Sequence, residues 1–168
     1  MIFPALWPAY AEAYARRDYD WMRRAFRFTL RGTLALNLAC GVLFIATGKL
    51  SIRWWAGAAA VPSSELLAAM ALWAVISGFM TVESCLLAAV NRTREQGLLS
   101  MVAAAVNLGL SIALVKQIGA VGVIAGTILS YLLVLVVPQS MIVRSVLRTC
   151  LHSESEVREQ AAVALRAC

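Results

Sequence analysis

Charged residues fall in short clusters along this chain. Between them run four long uncharged stretches: 17 residues from Gly32 to Gly48, 17 from Leu66 to Val82, 20 from Gln96 to Val115 and 27 from Gln117 to Val143. A helix that crosses a bilayer needs about 20 mostly apolar residues, with a range of about 17–25. The first stretch is short, but Arg31 and Lys49 at its ends can snorkel outward. The second continues past Glu83 to Asn91. None of the stretches alternates apolar and polar positions as barrel strands do, and all are rich in Ala and Leu, which favour helix. The pattern predicts an all-α integral membrane protein with four transmembrane helices at about 32–50, 66–90, 96–116 and 119–143. A cytoplasmic amphipathic helix is expected before them. Residues 1–31 then form an interfacial, aromatic and Arg-rich segment, and 144–168 a basic cytoplasmic tail with a short helix.

Local signals fit these spans. Asp18 or Asp20 is expected to cap a helix that runs unbroken into the first span. Trp54 and Trp55 fall just beyond that span, where an aromatic belt belongs. Ser63 or Ser64 reads as the cap of the second span, with Glu65 in its first turn. Lys116-Gln117-Ile118-Gly119 reads as a tight hairpin, and Ser153 with Glu156 as a capping box in the tail, where Val157, Ala161 and Leu165 share a face. The start, MIFPALWPAYAEA, has two prolines and no basic residue before Arg16, so it reads as the end of a preceding hydrophobic helix rather than a signal peptide.

Composition sharpens the picture. Of the 168 residues, 61% are apolar and 14% charged, and mean hydropathy is +0.78. A soluble domain of this size needs more polar surface than that, and disorder needs low hydrophobicity. The net charge of +6 would suit nucleic acid, but its placement argues for topology instead, and no nucleic-acid partner is expected. Twelve basic residues lie before span one, between spans two and three, and after span four, whereas Lys49, Arg53 and Lys116 are alone on the other side. The positive-inside rule then places both termini in the cytoplasm.

Candidate chemistry is sparse. Cys40, Cys85, Cys150 and Cys168 form no C-x-x-C, and His152 is the one histidine, so no metal site, cofactor or catalytic residue is expected. Phosphate-binding glycine motifs are absent too. Asn91-Arg92-Thr93 matches a glycosylation acceptor by chance only, given its cytoplasmic placement. Three polar residues stand within spans: Asn37, Glu83 and Asn107. Each has two readings, as the lining of a substrate pathway or as an interhelix hydrogen-bonding group. Glu83 lies eight residues from Asn91, about 12 Å from the inner end by helix rise. Gly122 and Gly126 make a small-xxx-small pattern that predicts close helix contact. The arginines from Arg16 to Arg31 set topology and meet lipid headgroups, or grip a substrate phosphate.

Several of these pieces together resemble the multidrug/oligosaccharidyl-lipid/polysaccharide (MOP) flippase superfamily, especially its polysaccharide-export branch. FPALWPAYAEA at 3–13 is similar to that family's proline-aromatic helix end, and ARRDYDWMRRAFR at 15–27 to its basic loop with an acidic helix start. Asn91, Gln96, Asn107, Gly119-Ala-Val-Gly122, Gly126-Thr127 and Ser130 follow the family's order and spacing. The resemblance covers about residues 3–145. It implies a bacterial inner-membrane protein whose family moves lipid-linked sugars between two six-helix lobes. Four spans are less than one lobe, so it also implies a fragment, matching the last four helices of a lobe and not competent alone. Its partners would be membrane lipids, a lipid-linked sugar, and missing N-terminal helices or a second copy. Two alternatives stay open: a cation-coupled multidrug exporter, for which Glu83 would matter most, and a non-transporting truncated remnant. An enzyme of thiol oxidation would need paired outer cysteines, and a small four-span pump would need an acid in span one; neither is present.

Overall fold

A computed structural model describes residues 3–149, with side chains from residue 6 onward. Those residues are helical almost throughout and contain no strand. Helix α1 spans Phe3–Ala15, α2 Tyr19–Ala56, α3 Ser64–Ala89, α4 Thr93–Ile118 and α5 Ala120–Thr149. A single 3-10 turn, Ala58–Ala60, lies between α2 and α3. Helices α2 to α5 are each long and apolar enough to cross a membrane. The expected tail helix with its Ser153–Glu156 box lies outside the described residues, as do Cys150, His152 and Cys168.

Caps, rather than the ends of the uncharged runs, set the helix boundaries. The Asp18 carboxylate accepts from the Trp21 backbone N–H at 3.0 Å, so α2 starts thirteen residues before the uncharged stretch. Arg23, Arg24, Arg27 and Arg31 therefore lie on the opening turns of α2, the unbroken helix expected from this cap, while Arg16 and Arg17 stay in the turn before it. At the far end α2 runs through Trp54 and Trp55, which fall inside its last turn. Ser63 Oγ accepts from the Leu66 N–H at 3.2 Å and opens α3, with Glu65 in the first turn. Asn91, in the short turn between α3 and α4, takes a left-handed φ of 59°, a conformation asparagine tolerates. Gly119, with φ 65°, makes the α4–α5 turn almost alone, because Lys116, Gln117 and Ile118 stay helical. Helix α5 continues to Thr149, past the boundary expected at 143. Helix α1 departs from the expected amphipathic form: it buries Tyr10 and Ala13 but leaves Trp7 and Tyr14 exposed, so both of its faces carry apolar groups.

Within α5, Tyr131–Val136 widens into a π-turn. Pro138 supplies the cause. It has no N–H for the Val134 carbonyl, and its ring would clash there in a regular α-helix.

Packing order differs from chain order. Helix α2 packs on α3, α3 on α5 and α5 on α4, whereas the consecutive pair α3 and α4 touch only sparingly. The outer members are accordingly the least covered. Of the most apolar window in each helix, 6% is buried in α4 and 11% in α2, against 28% in both α3 and α5. Leu36, Val42 and Leu43 on α2, and Leu98, Met101 and Leu108 on α4, stand free of protein contact over most of their surface. An apolar surface on this scale belongs against lipid or another protein.

Two clusters hold the array together. Tyr10, Ala13, Met22, Phe26, Val82, Leu86, Leu87, Val143 and Val146 join α1, α2, α3 and α5 at one end. Ile76, Met80, Ala103 and Leu135 join α3, α4 and α5 nearer the middle. Tyr10 is fully buried and meets Trp21 edge-on at 6.2 Å, which docks α1 onto α2.

Candidate functional site: a polar cleft between α3 and α4

Because α3 and α4 diverge, a cleft of about 300 Å³ opens between them, with α5 as its floor. On α3 it is lined by Ser77, Thr81 and Ser84, which helical periodicity sets on one face at i, i+4 and i+7. Helix α4 contributes Gln96 and Ser100, again at i and i+4, and α5 contributes Tyr131, Leu135 and Gln139. The polar groups in this lining are hydroxyls, amides and the Trp73 indole N–H; none carries charge.

A hydrogen-bonded relay closes the base. Gln96 Nε2 donates to Ser84 Oγ at 2.5 Å, and Gln139 Nε2 donates to the same oxygen at 3.3 Å and to the Met80 carbonyl at 3.5 Å. One hydroxyl therefore ties three helices. Gln139 is 1% exposed and fixed by these bonds, whereas Thr81 and Ser100 are exposed. Ser77 and Thr81 satisfy their hydroxyls within α3, on the Trp73 carbonyl at 2.5 Å and the Ser77 carbonyl at 2.7 Å. Trp73 and Tyr131 meet edge to face, centroids 4.5 Å apart at 89°, and form the aromatic part of the wall. The π-turn begins at Tyr131, so the widened segment forms part of the cleft floor. π-turns inside helices are frequent at functional sites.

The three polar residues singled out from sequence do not gather here. Each occupies a different helix seam. Asn37 lies between α2 and α3, where Nδ2 donates to the Thr33 carbonyl at 3.0 Å and the amide sits over Gly78. Asn107 joins α4 to α5: its Oδ1 accepts from Ser111 Oγ at 3.0 Å and from Thr127 Oγ1 at 3.1 Å. Glu83 turns into the α3–α5 seam, 3% exposed, and Oε1 accepts from Ser140 Oγ at 2.8 Å. Its Oε2 is buried without a hydrogen bond, and Arg144, one turn beyond Ser140, is near enough to act on the carboxyl electrostatically. Gly122 and Gly126 are buried against α4, facing Leu114 and Ser111. That seat is taken within the chain, so the close helix contact that the pattern predicts is made with α4.

In α1, burial pushes the Tyr10 phenol above its ordinary value, with the Thr29 hydroxyl opposing the shift. Among the described residues no three His, Cys, Asp or Glu side chains gather as metal ligands would. Cys40 is exposed and Cys85 half-buried, both as free thiols.

Comparison of the chain with protein-family models, with curated proteins and with solved structures finds no match. The reading of the cleft therefore stands on its geometry. A neutral polar trough with an aromatic wall can hydrogen-bond hydroxyl or amide groups and stack an apolar ring face, but it offers no charge to hold an ion. Sequence reasoning named Gln96 as part of a resemblance and passed over Ser77, Thr81, Ser84, Ser100 and Gln139. Their signal was present: serine and threonine at i, i+4 and i+7 on one otherwise apolar helix.

Proposed function

We propose that this chain forms one wall of a translocation path for a lipid-linked sugar in the bacterial inner membrane. It spans that membrane four times with both ends cytoplasmic, and supplies part of one lobe of a MOP-type flippase. One observation carries the reading: an uncharged polar cleft set in an otherwise apolar array of spans. Hydroxyls and amides suit a polyhydroxyl headgroup, and the exposed apolar flank of α4 beside the cleft suits the lipid portion. Arg92 and Arg94 open α4 within a turn of Gln96, close to where a linking phosphate would lie. The neutral lining favours such a substrate over an organic cation, since the acid a cation exporter would use, Glu83, faces the α3–α5 seam instead. A transporter of this kind binds substrate between repeats, and four helices enclose the cleft on one side only. The chain alone therefore holds the substrate without moving it.

The test is photocrosslinking in liposomes. A photoreactive residue at Thr81 or Ser100 should label a fluorescent lipid-linked sugar, with competition by the unlabelled lipid. The same residue at Leu108, on the lipid-facing side of α4, should give only non-competable background. Movement of the lipid across the bilayer should match protein-free vesicles. Equal, non-competable labelling at all three positions would refute the cleft as a binding site. Movement well above background would make the chain a complete transporter.

A further inference from the structure

The six arginines between Arg16 and Arg31 do not act as one cloud of charge. Arg16 is paired with Glu12 at 2.6 Å, Arg17 sits in the α1–α2 turn with φ 57°, and Arg23 is half-buried toward the packed side of α2. The other three, Arg24, Arg27 and Arg31, are all exposed and line a single groove of about 460 Å³ with Phe28 and Gly32. Their spacing of three and four residues keeps them within a narrow arc of the helix, over about 10 Å of its length. The ion pairs Arg16–Glu12 and Arg92–Glu95 lie elsewhere, and Asp20, one turn before Arg24, is itself engaged and does not line the groove.

The groove faces away from the rest of the protein. Helix α2 turns Met22, Phe26, Asn37, Gly41 and Gly48 toward its neighbours, and the three arginines occupy the opposite side. The polar cleft lies beyond α3, so a molecule seated there does not reach these arginines. The groove also has an apolar continuation. Phe28 is 81% exposed, Gly32 has nothing within 4 Å of where a Cβ would stand, and Ala35, Ala39, Val42 and Leu43 extend the outward face into the uncharged run.

We infer that Arg24, Arg27 and Arg31 form a binding site for the headgroup of an anionic phospholipid, whose acyl chains lie along the outer face of α2. Charge complementarity selects the headgroup, since guanidinium forks match phosphate oxygens and no acid lines the groove. The apolar strip directly beyond it selects a lipid over a soluble phosphate. This inference does not rest on the sugar-binding reading of the cleft.

The experiment is native mass spectrometry of the purified full chain released from detergent, titrated in turn with phosphatidylglycerol, phosphatidylcholine and inorganic pyrophosphate. Phosphatidylglycerol should stay bound where phosphatidylcholine does not. A basic residue near an anionic surface contributes about fivefold in affinity, so the combined Arg24→Ala, Arg27→Ala and Arg31→Ala variant should lose roughly 100-fold. Arg27→Ala alone should lose about fivefold, and it serves where the triple variant fails to fold. A control triple, Arg53→Ala with Lys116→Ala and Arg148→Ala, all exposed and remote from both the groove and the cleft, should retain wild-type binding of this lipid. The inference fails if the control loses as much as the groove variant, or if phosphatidylcholine binds equally well. It also fails if pyrophosphate binds as tightly as the lipid with the same arginine dependence, which would assign the groove to a soluble phosphate.

Discussion

Alanine at Gly122 would place its Cβ 2.5 Å from the carbonyl carbon and oxygen of Leu114 and 2.8 Å from the Val115 nitrogen. Ordinary contacts of this kind begin near 3.4 Å, so α5 and α4 must separate by most of an ångström. The obstacle is backbone, which no rotamer change can relieve. Overpacking of this sort costs about 1–3 kcal/mol. Helix propensity opposes it by about 1 kcal/mol, because alanine is the better helix former. The net expectation is a loss of up to about 2 kcal/mol, together with a weakened Asn107–Thr127 bond across the same seam. Gly109→Ala is the matched control. It lies on α4 with nothing within 4 Å of the new methyl group, so propensity acts alone and the variant should be neutral or slightly more stable. The assay is thermal unfolding in detergent, read by the loss of the monodisperse size-exclusion peak. A Gly122→Ala midpoint equal to or above that of Gly109→Ala would refute the close approach of α4 and α5.

Glu83→Gln keeps an acceptor for Ser140 and should leave folded yield near wild type, whereas Ser140→Ala removes the hydroxyl bonded to Oε1 and should destabilise by about 1–3 kcal/mol; the opposite ranking of yields would mean that the carboxyl is held elsewhere. A membrane-impermeant thiol reagent, applied to intact cells, should label a cysteine placed at Ala58 and spare one placed at Thr93; the reverse pattern would invert the topology. Because the Tyr10 phenol is raised by burial, its neutral form supports the docking of α1 fully below pH about 10. That support fades as pH rises through the higher folded value. Proteolysis at the Arg16–Arg17 turn should accordingly increase under alkaline conditions, and Tyr10→Phe should remove that increase.

How much of this was legible in the sequence depends on the kind of signal. The four helices were, because hydropathy reports solvent preference residue by residue. Asp18 and Ser63 were readable as caps, because a cap acts through a hydrogen bond to a neighbour two or three residues on. The span limits were less so. Uncharged runs do not mark helix ends: the unbroken helix expected from the Asp18 cap does start thirteen residues before Gly32, whereas α5 runs on to Thr149, past the expected 143. Gly122 and Gly126 announced a close neighbour, yet the motif carries no information about which helix that neighbour is. It proved to be α4 of the same chain. The π-turn was missed although Pro138 marks it: the missing N–H acts on Val134, four residues upstream.

The cleft was hidden for a different reason. Ser77, Thr81 and Ser84 make a polar stripe on α3, and Gln96 and Ser100 make another on α4. Either stripe alone is ordinary, since a serine or threonine in an apolar helix can return its hydroxyl to its own backbone, as Ser77 and Thr81 do. What makes a cleft is that the two stripes face one another across a gap, and a one-dimensional pattern does not contain that fact. The gap exists because α5 inserts between helices that are consecutive in the chain, packing on both α3 and α4. The link is Gln139, one residue beyond Pro138, which reaches Ser84 and so fixes the floor to one wall. Asn37, Glu83 and Asn107 attracted attention as polar groups in apolar runs, but each is absorbed by a seam. The residues that shape the cleft are the less conspicuous hydroxyls and amides, because a group already satisfied by its own helix can border open space at little energetic cost. A buried carboxylate cannot.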